Sequence, residues 1–177
     1  MRWLRRTGLL CFLAAAEFAM MTALEFLYFR RLSGGLPSLD MRFLGFTGEE
    51  ALEWLNALGA HGKEIVLVWH YLTFDLVFPA LLSAALASLI LRAGRGMPRF
   101  AGLPERTRIA TAVGLVLPYM LVDYAQNIAV ARLLSDPLNA NPASLSLASG
   151  LVVAKFALGA VPFIVIAVFA LTGHKGR

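Results

Sequence analysis

Apolar residues along this chain gather into four long runs, roughly 8–29, 65–91, 109–134 and 145–171, separated by shorter polar stretches. Each run reaches the ~20 residues that a helix needs to cross the hydrocarbon core of a bilayer. The pattern predicts one all-α domain over 1–177, a bundle of four transmembrane helices.

The stretch between the first two runs is the only sizeable one outside them. It opens on Ser33-Gly34-Gly35-Leu36-Pro37, a breaker cluster that ends the first helix. Thr47 and Glu50 follow with capping-box spacing, and Gly59 suits a helix C′ position. Between them Ala51, Leu52, Leu55 and Leu58 recur at helical spacing. This predicts a short amphipathic helix on the outer surface or over the mouth of the bundle. The second connector is rich in arginine, glycine and proline. The third carries the turn signals Asp136-Pro137 and Asn141-Pro142.

Composition agrees with the pattern: 59% of residues are apolar and 15% are charged. The net charge of +5 does not imply a nucleic-acid partner, because the basic residues flank the runs. Arg2, Arg5, Arg6, Arg92, Arg95, Arg99, Arg106, Arg108, Lys175 and Arg177 fall on one side. On the other, Arg30, Arg31, Arg42 and Lys63 are balanced by Asp40, Glu49, Glu50, Glu53 and Glu64. The positive-inside rule then puts both termini in the cytoplasm of a cell whose inner membrane holds the protein. Membrane lipids are the expected counter-ions and neighbours. The basic N-terminus resembles a secretory signal, but the apolar run continues past Glu17 to Phe29, so a retained helix is expected. A single cysteine, Cys11, excludes an intrachain disulfide and a CxxC redox centre.

Against this background the ionisable residues inside the runs stand out. Glu17 and Glu25 lie in the first, His70 and Asp75 in the second, Asp123 in the third and Lys155 in the fourth. A charge at mid-bilayer costs about 2.5–3.5 kcal/mol on insertion scales, so such residues face a shared interior rather than lipid. Antiparallel threading brings Glu17, Asp75, Asp123 and Lys155 to similar depth, with Glu25, His70, Asn127 and Arg132 nearer the outer face. Helical spacing adds Tyr71 to Asp75, and Tyr119 and Asn127 to Asp123. His70 and Asp75, five apart, are expected to diverge. Pro79 removes the helix bond that the Asp75 carbonyl would accept, freeing that carbonyl for water or a ligand. Lys155 can pair with Asp75 or Asp123 as structural glue. Four acids against one lysine, one histidine and one outer-end arginine exceed what glue requires.

Several chemistries lack their residues. His70 with Asp75 and Asp123 is a thin basis for a metal, with one deep histidine and no HxxH-type spacing, so no metal is expected. Haem attachment, a GxSxG nucleophile and a glycine-rich phosphate loop have no matching motif. Four helices are few to enclose a chromophore on Lys155. The sequence names no cofactor.

In the run 39–50, in Leu58-Gly59 through Gly62-Lys63, in Asp75-Leu76-Val77-Phe78-Pro79, in Asp123-Tyr124-Ala125-Gln126-Asn127 and at Lys155, the chain resembles a group of uncharacterised bacterial four-helix integral membrane proteins. Their third-helix motif tends to end Glu-Asn, where this chain has Gln126-Asn127. The resemblance implies a fold and a shared polar centre, and no activity.

The leading expectation is a site for a small amphiphilic or lipid-like ligand. Asp75, Asp123, Glu17 and His70 would act as acid–base groups, with Lys155, Asn127, Gln126, Tyr71, Tyr119 and Glu25 lining it. Two other readings stand beside it. One is a small proton- or cation-coupled transporter, oligomeric because four helices make a narrow path, with Glu17 as coupling carboxylate. The other is a non-enzymatic assembly subunit.

Overall fold

The structure, a computed structural model, describes residues 6–173. Arg2, Arg5, Lys175 and Arg177, counted in the expected charge asymmetry, lie outside the described residues. All elements among those described are helical. Four helices are long and apolar enough to cross a membrane: α1 (Thr7–Leu32), α2 (Gly48–Gly96), α3 (Glu105–Ser135) and α4 (Pro142–Gly173). A four-residue helix, Pro98–Ala101, lies in the connector between α2 and α3.

The helices pack antiparallel around α2. It touches α1, α3 and α4, and α3 also packs along α4. Helix α1 rests on α2 and makes no comparable contact with α3 or α4. The bundle is therefore open on one side, between α1 and α4.

Two helices depart from α geometry. Helix α1 turns π-helical over Glu25–Phe29, and α2 does so over Leu67–Phe74. Helix α2 also breaks at Gly59, whose φ of 61° lies in the left-handed region that glycine adopts freely. The limb before this break starts with a complete capping box. Thr47 Oγ1 accepts from the Glu50 N–H at 3.2 Å, and Glu50 Oε2 accepts from the Thr47 N–H at 2.7 Å. Its Ala51, Trp54, Leu55 and Leu58 are buried, while Glu49, Glu50 and Glu53 are exposed.

Two apolar cores flank the middle of the bundle. One joins Phe29, Leu39, Trp54, Leu58, Val66, Val130 and Leu133. The other joins Leu86, Ile90, Phe100, Ala112 and Val116, with Val165 and Phe169 packed against them. Between the cores lies a band of buried polar side chains, and the 33–47 segment reaches into it.

That segment is strapped down at both ends. Near its start the Ser38 N–H donates to Glu25 Oε1 at 3.0 Å, and Ser38 Oγ bonds Glu25 Oε2. Near its end the Phe46 N–H donates to Ser149 Oγ on α4 at 2.8 Å. Gly45, at φ 89°, lies so close to Ser149 that a Cβ there would come within 2.8 Å of its Oγ. Between the two straps Leu39 is fully buried and Asp40 nearly so.

Candidate functional site

The site begins with the π-helical turn of α2. The Asp75 N–H bonds the carbonyl of His70, five residues back rather than four. The wider turn stacks residues i and i+5, so His70 Nε2 comes to 3.3 Å from Asp75 Oδ2. The divergence expected of two residues five apart assumed α geometry and does not occur. The π turn of α1 has the same effect on Glu25 and Arg30, which form an ion pair at 3.3 Å.

Asp40 completes the centre. Its Oδ2 lies 2.9 Å from His70 Nε2, and its Oδ1 accepts from Gln126 Nε2. Lys155 reaches in from α4, donating to Gln126 Oε1 at 2.7 Å and pairing with Asp123 Oδ1 at 3.0 Å. Its Nζ lies 3.8 Å from Asp40 Oδ1. The Asp40 carboxyl is held below the usual carboxylate range. Burial alone would raise it, but the charge of Lys155 and the hydrogen bond and charge of His70 outweigh that penalty.

The carbonyl that Pro79 releases is engaged from α3. Asn127 Nδ2 donates to the Asp75 carbonyl at 2.9 Å, closing the gap from α3. One residue on, the Tyr124 hydroxyl donates to the Leu76 carbonyl at 3.0 Å. The kinked segment of α2 is thus held by side chains of its neighbour.

Most of the expected residues converge. His70, Asp75, Asp123, Gln126 and Asn127 are all buried, and the Lys155 side chain is 12% exposed. Tyr119 lines the cavity described below, and Gly159 lies against its ring. Tyr71 is buried and packs edge-on against His70, with ring centroids 4.8 Å apart. Glu25 touches the edge of the site but is engaged by Ser38 and Arg30, so it serves the loop strap. Glu17 does not join the others: it is partly exposed, its Oε2 has no hydrogen-bond partner, and it is absent from the cavity wall. Depth alone had grouped it with Asp75 and Asp123, but its direction around α1 separates them.

Asp40 is the residue that sequence reasoning missed as a site member. In the sequence it reads as an outer-face counter-charge. Its signal was its setting between Leu39 and Met41, an acid flanked by large apolar residues rather than by other polar ones.

A cavity of about 650 Å³ opens from this centre. Its polar end is formed by Glu25, Ser38, Asp40, His70, Asp75, Tyr119, Asp123 and Lys155. From there three walls turn apolar: Thr22 through Ala14 to Cys11 on α1, Phe78 through Leu86 to Leu89 on α2, and Phe156 to Phe163 on α4. Asp75 to Leu89, and Glu25 to Cys11, each span fourteen residues, or about 21 Å of helix. The cavity lies between α1, α2 and α4, and α1 and α4 make no contact with each other comparable to those either makes with α2.

The chain matches no protein-family model, and no curated protein or solved structure proves similar to it. Its function is read from this geometry alone.

Proposed function

We propose that this is a multi-pass inner-membrane protein, with both termini cytoplasmic, that binds a small amphiphilic, lipid-like molecule entering sideways between α1 and α4. The observation that carries the reading is the polarity of the cavity. Each wall is polar at the same end and apolar for the rest, matching a molecule with one polar head and one hydrocarbon tail. The outward surface of the four helices supports the membrane setting. Phe12, Leu72, Leu76, Leu121 and Ile164 are all more than half exposed, a surface that lipid tolerates and water does not. The limb of α2 before Gly59 then lies at the outer surface as a short amphipathic helix, its acids toward water.

The head of the ligand would meet Asp40, Asp75, Asp123 and Lys155. His70 contacts both Asp40 and Asp75, so the head would meet a group able to carry a proton and two carboxylates. If the bound molecule reacts, acid–base isomerisation or transfer at its head is the chemistry this group supports.

Native mass spectrometry of the protein extracted from its own membrane tests the proposal. A retained amphiphile is expected in the wild type. It should be lost from Ala160→Trp, which fills the apolar part of the cavity without touching the charged centre. Retention of the same molecule by Ala160→Trp, or no retained molecule in the wild type, would count against the reading.

A further inference from the structure

We propose that Asp40, His70 and Asp75 form a binding site for one divalent transition-metal cation of the zinc type, at the polar end of the cavity. His70 Nε2, one Asp40 oxygen and one Asp75 oxygen lie within 4.8 Å of one another. They come from three different backbone settings: the strapped loop, the π turn of α2, and the α-helical segment that follows it.

Hydrogen bonding alone leaves this cluster incomplete. Nε2 carries at most one proton, yet two carboxylate oxygens face it, at 2.9 and 3.3 Å. Nε2 is hydrogen-bonded to Asp40 Oδ2, and the buried Asp75 Oδ2 is left without a hydrogen-bond partner. His70 Nδ1 has no partner either, so Nε2 carries all the polar binding of the ring. Three potential ligand atoms thus face one another, with a hydrogen bond joining only two of them. Tetrahedral zinc, with ligands near 2.0–2.2 Å, sets neighbouring ligand atoms about 3.3 Å apart. The His70–Asp75 separation of 3.3 Å meets that spacing, and the His70–Asp40 separation of 2.9 Å is somewhat shorter.

Charge points the same way. With His70 neutral, as a metal ligand must be, the buried Asp40, Asp75 and Asp123 against Lys155 leave the centre two positive charges short. Buried charges are tolerated when balanced, and a dication supplies the deficit. Lys155 approaches Oδ1 of Asp40, whereas Oδ2 faces His70, so the lysine does not occupy the same point.

The surroundings hold the ligands in place. Gln126 donates to Asp40 Oδ1 and is itself oriented by Lys155. Asn127 anchors the Asp75 backbone, and Phe29 packs edge-on against the His70 ring. Such outer partners fix ligand direction in metal sites. All three ligand residues line the cavity, so a fourth coordination position is open to it, as in zinc sites that act on a bound molecule. The inference stands on these ligand atoms and does not depend on the amphiphile.

The test uses the full chain in detergent, without a polyhistidine tag, stripped with chelator and titrated with zinc chloride. One zinc per chain is expected by calorimetry and by elemental analysis after dialysis. His70→Gln and Asp40→Asn should each weaken binding by more than about tenfold, the loss that even outer-shell changes cause. His61→Gln, an exposed histidine away from the site, should bind as the wild type does. X-ray absorption at the zinc edge of the wild type should show a single imidazole among oxygen ligands, a result that holds whether or not the variants fold. Absence of retained zinc, undiminished binding in folded His70→Gln, or a shell with two imidazoles or sulfur would overturn the site.

Discussion

His70 and Asp75 stand five residues apart on one helix, yet Nε2 and Oδ2 approach to 3.3 Å because the intervening turn is π-helical. The same device recurs on α1, where Glu25 and Arg30, also five apart, pair at 3.3 Å. Thr73 gives a third sign of the wider turn, its hydroxyl bonding the Val68 carbonyl five residues back at 2.7 Å. A π turn weakens the regular ladder and is kept where it re-aims side chains. Here one π turn brings His70 to Asp75 and the other forms the anchor of the loop that carries Asp40.

Asp40 joins that loop to the bundle, touching His70, Gln126 and Lys155 from outside the long helices. Asp40→Ala should destabilise the fold by about 3–5 kcal/mol, the cost of leaving buried charged partners uncompensated. Asp40→Asn, which keeps shape and hydrogen-bonding capacity, should cost less. The pH response follows from the lowered carboxyl of Asp40. A group whose folded value is depressed contributes stability above its unfolded value, near 4, and loses it as pH falls through the folded one. Unfolding in micelles should therefore show a larger loss between pH 5 and pH 3 for the wild type than for Asp40→Asn. Equal losses would mean that Asp40 carries no ionised pairing in the fold.

The contact between Asn127 and the Asp75 carbonyl predicts a specific rescue. Asn127→Ala removes the donor and strands a buried carbonyl, at a cost of about 1–3 kcal/mol. Pro79→Ala restores a backbone N–H at the position that normally bonds that carbonyl. In the double mutant the new N–H replaces the lost amide, so the two changes should be non-additive, with a coupling of at least about 0.5 kcal/mol. A double-mutant cycle on unfolding free energies measures this. Strict additivity would show that the proline does not create the need that Asn127 meets.

How much of this was legible follows from what each residue depends on. The four long helices follow from hydrophobic runs, a signal local to each segment. The grouping of Asp123, Asn127 and Lys155 follows from depth and α periodicity, which hold along α3 and α4. His70 with Asp75 was misjudged because a π turn leaves no mark in composition, and a shift of one residue per turn reverses an argument from spacing. Asp40 was missed for another reason. An acid in a loop reads as solvated unless something pulls the loop inward, and the straps from Ser38 to Glu25 and from Phe46 to Ser149 join residues far apart in sequence. Glu17 failed the other way, since depth along a helix says nothing about direction around it.

The loop strap itself can be tested. Glu25 accepts from both the backbone and the hydroxyl of Ser38, so Glu25→Gln and Ser38→Ala weaken the same fastening. Each should raise amide exchange across 36–44 while leaving the centre of α3 unchanged. The pair together should raise it little further than Glu25→Gln alone. If exchange in this segment is unaffected, the loop is held by Leu39 packing and the Phe46–Ser149 bond instead.

Glu17 separates the amphiphile reading from the transport reading. A coupling carboxylate must face the path of its substrate, and Glu17 lies outside the cavity wall, more exposed than any of Asp40, Asp75 or Asp123. Glu17→Gln should therefore leave the retained molecule unchanged. Asp123→Asn, made in parallel, should release the molecule, because it removes a carboxylate that pairs with Lys155 at the polar end. Native mass spectrometry reads retention, and a pH-sensitive dye inside liposomes reads proton movement. Proton flux that vanishes in Glu17→Gln while Asp123→Asn still holds its ligand would place the working carboxylate on α1 outside the cavity wall and move the function away from the cavity.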